Sequence, residues 1–478
     1  MQPRPVANRQ PPWPDPASPW RRAVAGLLLM LAVVAALAAA TIAWRLAAGD
    51  PLKLALQSTS ALQARTLVHP SGNDSWGAML AALHRAREAQ PGSVYQRTLD
   101  LDRCKFQYPP ASLLPLMVGP TPAGPVSCAD ASPGGREGAV LDAARWPLKP
   151  WVDATLWLAT LAQVGVALLV LRQVLGPTHR RGLRTAGLAL LALGLSCYPL
   201  LNGWVLGQVQ VLLNLCSALA LLAVLRGRPA LAGVLLGLCC LVKPQWVLML
   251  LWAGLRREWR LARAMLAVAV VGHGIGVAVF GWGMHADYIA FLRDLAGRGE
   301  AYWANQSVNG LLNRWFELQD PRHFVPDAFP PPNDWVRWGT VLSSALILAI
   351  TLWRPAAPPA SAAGLTASEP SAQQRALDFG AMLAAMTLAS PVAWPHHHAA
   401  LLPLCALMLA VLARQGASRR DMLWLGGAYV LMAHEWLRED LYFASREFGL
   451  LASHLLVGAL LTWGLLLRMR RAAAARPV

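Results

Sequence analysis

From Ala23 to Trp44 the sequence runs without a single charged residue. A helix needs about 20 apolar residues to cross a bilayer. This stretch is too long for the apolar core of a signal peptide and has no convincing cleavage site, so it reads as a membrane helix. Further apolar runs follow near 152–172, 183–201, 203–225, 229–243, 244–255, 260–282, 336–353, 377–391, 396–414, 421–437 and 449–468. The expected fold is therefore an all-α integral membrane bundle with about twelve spans.

Composition supports that reading. The 478 residues are 56% hydrophobic and 14% charged, with 21 Trp and a mean hydropathy of +0.40. Soluble domains carry roughly a quarter charged residues, so an ordinary cytosolic enzyme is excluded, and the apolar content excludes disorder. Twelve crossings use about half of the chain and leave room for a sizeable loop.

The formal charge of +17 raises the question of nucleic acid, which its distribution answers. Arginines gather in short connectors such as Arg180, Arg181 and Arg184, or Arg256, Arg257, Arg260 and Arg263. That is topology signalling toward an anionic leaflet, not a continuous basic face, and nucleic acid is not an expected partner. With residues 1–22 as a disordered cytoplasmic tail, twelve spans place Arg172 through Arg184, Arg226 with Arg228, Arg256 through Arg263, Arg354 with Arg375, and Arg414 through Arg420 inside. The short outer connectors then hold only Lys243, Arg438 and Arg446, as the positive-inside rule requires. Residues 23–478 read as one transmembrane domain. Its two long outer segments are 45–151, with an amphipathic helix expected over 74–89, and 283–335. Ser112 to Val118 is expected to re-enter the membrane surface.

Five of the seven cysteines fall in expected spans and read as small hydrophobes. Cys104 and Cys128 share the first outer segment, where a disulfide between them is expected. No pair has zinc-ligand spacing, and no metal or cofactor is expected.

Ionisable and amide groups near membrane depth are costly and mark functional sites. Those of interest gather at the expected outer ends of spans: Asp74, Lys243, and the run His396, His397 and His398. Asn305, Gln306, Asn309 and Arg314 lie in the second outer segment. Gln208, Gln210 and Asn214 form a polar stripe in an apolar span, and Tyr108 precedes two prolines. Taken in order along the chain, these pieces resemble glycosyltransferase family 87, polyprenyl-phosphate-mannose-dependent mannosyltransferases of the membrane-embedded GT-C class. The resemblance rests on Asn73-Asp74, Val94-Tyr95, Phe106-Gln107-Tyr108-Pro109-Pro110, Gly207-Gln208-Val209-Gln210 with Asn214, and Arg228 to Gly233. It continues through Leu241-Val242-Lys243-Pro244, Asn305 to Gly310, and Ser390 to His398.

The resemblance implies a GT-C-like bundle and a lipid-linked sugar donor, with an extracytoplasmic active site in a bacterial inner membrane. The acceptor would be a glycolipid or glycan. Asp74 matches the position of a general base on the acceptor hydroxyl; its bland role is a helix cap. Lys243 and His396–His398 are expected at the donor phosphate with Arg314, against interfacial snorkelling as the alternative. Three adjacent histidines cannot all face one point, so at most two are expected there. Tyr108, Gln208, Gln210, Asn214, Asn305, Gln306 and Asn309 are expected around the substrate cavity, though interhelical hydrogen bonding explains the span amides equally well. Asp100-Leu-Asp102 matches the DxD of soluble nucleotide-sugar transferases, a reading that needs an α/β domain foreign to this composition. The rival from another class is a transporter or flippase of a lipid-linked or polar substrate.

Overall fold

A computed structural model describes residues 18–49, 71–128 except 89, 123 and 125, then 144–178, 180–353, 371–416, 418–434 and 451–474. The tail before Ser18 and the connector arginines Arg354, Arg438 and Arg446 lie outside the described residues. Every regular element among the described residues is helical. The first helix, Pro19–Ala47, starts earlier than Ala23 because Ser18 caps it, accepting from the Arg21 amide at 3.3 Å, with Pro19 in the first turn.

Among the described residues five helices are long and apolar enough to cross a membrane: Pro19–Ala47, Lys149–Leu175, Trp259–Arg298, Asp334–Leu352 and Pro395–Gln415. Arg180–Leu195 and Tyr198–Val205 make a sixth if their 59° bend is taken within one span. The span expected over 183–201 is broken there, next to Pro199. That expected over 203–225 is the shorter Gln210–Leu225, preceded by a turn at Gly207 with positive φ. The run 396–414 opens as a 3₁₀ segment, Pro395–Leu401, which carries the histidines.

The segment 229–255 departs furthest from two crossings. Helix Pro229–Cys240 covers roughly 18 Å at 1.5 Å per residue, well short of a bilayer core. It runs alongside Trp259–Arg298 in the same direction. A Cβ on Gly233 would meet Leu261 O at 2.2 Å, one on Gly237 would meet Met265 O at 2.9 Å, and Leu241 fills the space over Gly272. The chain then turns at Lys243–Pro244 and returns through Leu248–Leu255. Lys243 is thus the tip of a short excursion, level with the middle of the long helix and not with either of its ends.

That long helix carries its own ruler. Trp259 and Trp282 are both exposed, as are Trp335 and Trp353 on Asp334–Leu352. Their separations are roughly 34 and 27 Å along the axes, the spacing of aromatic belts around a hydrocarbon core of about 30 Å. Gly281, at φ 77°, kinks the helix beside Trp282, and helix continues to Arg298 where a loop was expected. With Leu241 over Gly272, Lys243 lies roughly 12 Å short of Trp282 on this scale.

The two segments expected outside pack on each other. Helices Asp74–Arg87 and Val94–Asp102 and the 3₁₀ turn Pro110–Met117 form the first. Cys104 and Cys128 are joined by a disulfide, as expected. Asp102 is gripped by Arg85 through bonds of 2.6 and 2.8 Å, and Asp100 accepts from Gln96, so the DxD pair serves local packing. Lys105 reaches Glu300 at 2.6 Å between the rings of Phe324 and Phe329, which ties this segment to the second.

Candidate active site

The Asp74–Arg87 helix begins without a side-chain cap: Asn73 makes no such bond. Backbone carbonyls take over, with Gly72 N donating to Val205 O at 2.7 Å and Asp74 N to Leu206 O at 3.0 Å. The approach is closer than side chains allow, since a Cβ on Gly207 would sit 1.9 Å from Gly72 O. The Asp74 carboxylate is therefore not capping its own helix. It accepts instead from Gln208 Nε2, next to the same turn.

Ser75 links the remaining polar groups. Its hydroxyl meets Tyr108 Oη at 2.8 Å, donates to Gln208 Oε1 at 2.8 Å and accepts from Val209 N at 3.1 Å. Gln208 is thereby fixed at both ends, its oxygen on Ser75 and its amide on Asp74. Burial raises the Tyr108 hydroxyl above its ordinary pKa, so it stays protonated. Asp74 remains open to solvent, yet protein crowds it closely enough that burial lifts its carboxyl to about 6. The Gln208 hydrogen bond and the positive charge of Lys243 pull the other way.

Lys243 Nζ lies 2.6 Å from His397 Nε2. His396 packs edge-on against His397, with ring centroids 4.9 Å apart, and the charge of Lys243 reaches both rings. His398 faces His454 and the Gln306 backbone instead, so two of the three histidines share this place. His396 is 2% exposed, and neither ring nitrogen has a hydrogen-bond partner. Asn214 Nδ2 donates to the His396 carbonyl at 2.8 Å while Asn214 Oδ1 accepts from Gln210 Nε2 at 2.8 Å, so the stripe anchors the histidine run from behind.

The amides of the second segment do different work. Asn305 donates to Glu300 O and Pro391 O and accepts from Ala393 N. Gln306 donates to Trp303 O and Ala452 O and accepts from Leu455 N. Asn309 accepts from Glu300 N and donates to Thr340 Oγ1. Arg314 donates to Asn305 O at 2.9 Å and Ser453 Oγ at 2.8 Å. These four staple the chain beneath Pro391–Trp394 and so fix where the histidines start. Sequence reasoning passed over Ser75, Lys149 and Asp153, although Lys149 and Asp153 stand four apart at the opening of a span, a visible signal.

The model of glycosyltransferase family 87 matches residues 106–391, more than half of the chain. No curated protein and no solved structure matches it. The match contains Tyr108, Gln208, Gln210, Asn214 and Lys243; Asp74 lies well before it in sequence and the histidines shortly after it, and both are folded onto it in space. With an all-helical bundle, several membrane-length helices and this match in hand, the chain is a member of glycosyltransferase family 87.

Proposed function

We propose that the protein transfers one hexosyl unit, mannose on the family resemblance, from a polyprenyl-phosphate donor to a glycolipid or glycan acceptor at the outer face of a bacterial inner membrane. The observation that carries this reading is the pairing of two opposite tools: an under-solvated carboxylate, Asp74, and a cation whose charge reaches it through space, Lys243, set against the His397 ring. Asp74 takes the proton of the acceptor hydroxyl as its oxygen attacks the anomeric carbon. The bond from that carbon to the phosphate oxygen breaks, and the phosphate leaves with the electron pair. Displacement on one face inverts the anomeric configuration. Lys243, His396 and His397 meet the charge on the departing phosphate, an electrostatic role that strengthens where water is excluded. The sunken position of Lys243 fits a donor whose phosphate enters from the lipid side.

Purified protein in bilayers, given labelled polyprenyl-phosphate hexoses and a lipid extract, should form a labelled glycoside with inverted anomeric configuration. Vectorial movement of the label with no glycoside formed would overturn the reading in favour of a transporter or flippase.

A further inference from the structure

Behind the loop that presents Asp74 lies a charged cluster with no part in the chemistry above. Lys149 and Asp153 stand one turn apart at the start of the Lys149–Leu175 helix and form an ion pair. Lys149 Nζ donates to the Ser71 carbonyl at 2.7 Å and to its hydroxyl at 3.2 Å, and the Ser71 hydroxyl donates to Asp153 Oδ1. Ser71 and Lys149 are almost completely buried. Ser71 is three residues before Asp74, and the next two anchors, at Gly72 and Asp74, are the backbone bonds to Val205 and Leu206. The peptide carrying Asp74 is thus held from two sides: by the 205–207 turn on one and by this ion pair on the other.

We infer that Lys149 and Asp153 are positioning residues that set the place of the Asp74 carboxylate, acting through the Ser71 backbone. The inference rests on Asp74 serving as base. A buried ion pair adds little net stability over apolar residues of similar size, because desolvation offsets its attraction. What it adds here is a directional grip: an ammonium donating to one particular carbonyl fixes that carbonyl's position. Misplacing a catalytic group by about 1 Å can cost on the order of 10² in rate.

The test is steady-state kinetics on Lys149→Met, Lys149→Arg and Asp153→Asn in bilayers, with turnover counted per donor-binding site. Lys149→Met should lower kcat roughly 10- to 100-fold while the donor KM stays within about twofold, and Lys149→Arg, which can still donate to the Ser71 carbonyl, should recover most of the loss. Asp153→Asn keeps an acceptor for Ser71 and should fall in between, and it remains a usable probe if Lys149→Met does not fold. Unchanged kcat in both Lys149→Met and Asp153→Asn overturns the inference. So does a loss of donor-binding sites that fully accounts for the fall in turnover, the mark of a merely structural pair. Asp74→Asn run alongside separates the two levels: turnover near wild type in that variant removes the base itself, whatever Lys149 does.

Discussion

Two aspartates inside this bundle are treated in opposite ways. Asp378 lies where Arg256, at the end of Leu248–Leu255, meets Arg470 on His454–Ala474. Its Oδ2 accepts from Trp252 Nε1 at 3.1 Å and Arg256 Nε at 2.5 Å, and its Oδ1 from Arg470 Nη1 at 2.7 Å. The two guanidiniums also close off the carbonyls of Thr351, Leu352 and Trp353, the end of a neighbouring helix. Nothing about this carboxylate is left to offer a substrate. Asp74 has one amide donor, a cation that reaches it only through space, and an open side. A carboxylate saturated by cations holds helices together; one kept short of partners retains the basicity a reaction can use.

The contrast can be broken most violently at Asp378. Asp378→Ala leaves two arginines without their counter-charge and should cost about 3–5 kcal/mol, read as a lower unfolding midpoint in detergent. Transfer per folded molecule should survive; a variant that is stable but inactive would show that the site extends to that end. Asp74→Asn should do the reverse, lowering transfer by about 10²-fold or more with donor binding intact. Transfer within a few-fold of wild type would remove Asp74 from the mechanism. Its effect on stability has a definite sign. The folded carboxyl titrates near 6 against 3.8 for the free group, so its ionisation works against the fold as pH rises from about 4 through 6. Asp74→Asn should therefore be at least as stable as wild type above pH 6, with no such advantage below pH 4.

Lys243→Ala and His397→Ala should each weaken donor affinity roughly 10- to 150-fold, the worth of a charge-assisted contact of about 1.5–3 kcal/mol. Because one phosphate couples them, the double variant should fall short of the sum. Small additive effects would return both residues to an interfacial role. The mildest perturbation is pH alone. Transfer by wild type should rise about tenfold per unit toward pH 6 and level off above it, as the base ionises. A profile flat from pH 5 to 8 would place proton removal elsewhere.

The sequence announced the membrane helices where apolar runs were long and bounded by Arg or Trp, as at Pro19–Ala47 and Trp259–Arg298. It misjudged 229–255 because hydropathy measures length of apolar chain and not where a turn lies in depth; Lys243 looks the same at a surface or at a buried tip. In the site, Asp74, Gln208, Lys243 and His397 were legible because charges and amides in apolar surroundings are rare enough to notice. Asn305, Gln306 and Asn309 were equally noticeable, yet their amides are spent on backbone groups and the Thr340 hydroxyl, from four separate stretches of chain. Lys105 and Glu300 escaped notice because each is ordinary until its partner, far away in sequence, is known; Lys149 and Asp153 stand one turn apart, but the Ser71 backbone they hold is distant in the chain.

The turn at Gly207 gives the motif Gly207-Gln208-Val209-Gln210 a meaning of its own. Its first letter carries no chemistry: at φ 69°, with Gly72 O in the place where a side chain would begin, that residue matters for the atoms it lacks. Adding one methyl there would act as a wedge, prising the Asp74 peptide off its support while every reactive group stayed in the molecule. A search for loss of activity by random substitution would therefore return Gly207 beside Asp74, and the two would be indistinguishable by rate alone. What separates them is repair. A displaced carboxylate can be brought back by a compensating change in the loop that holds it, whereas an absent one cannot.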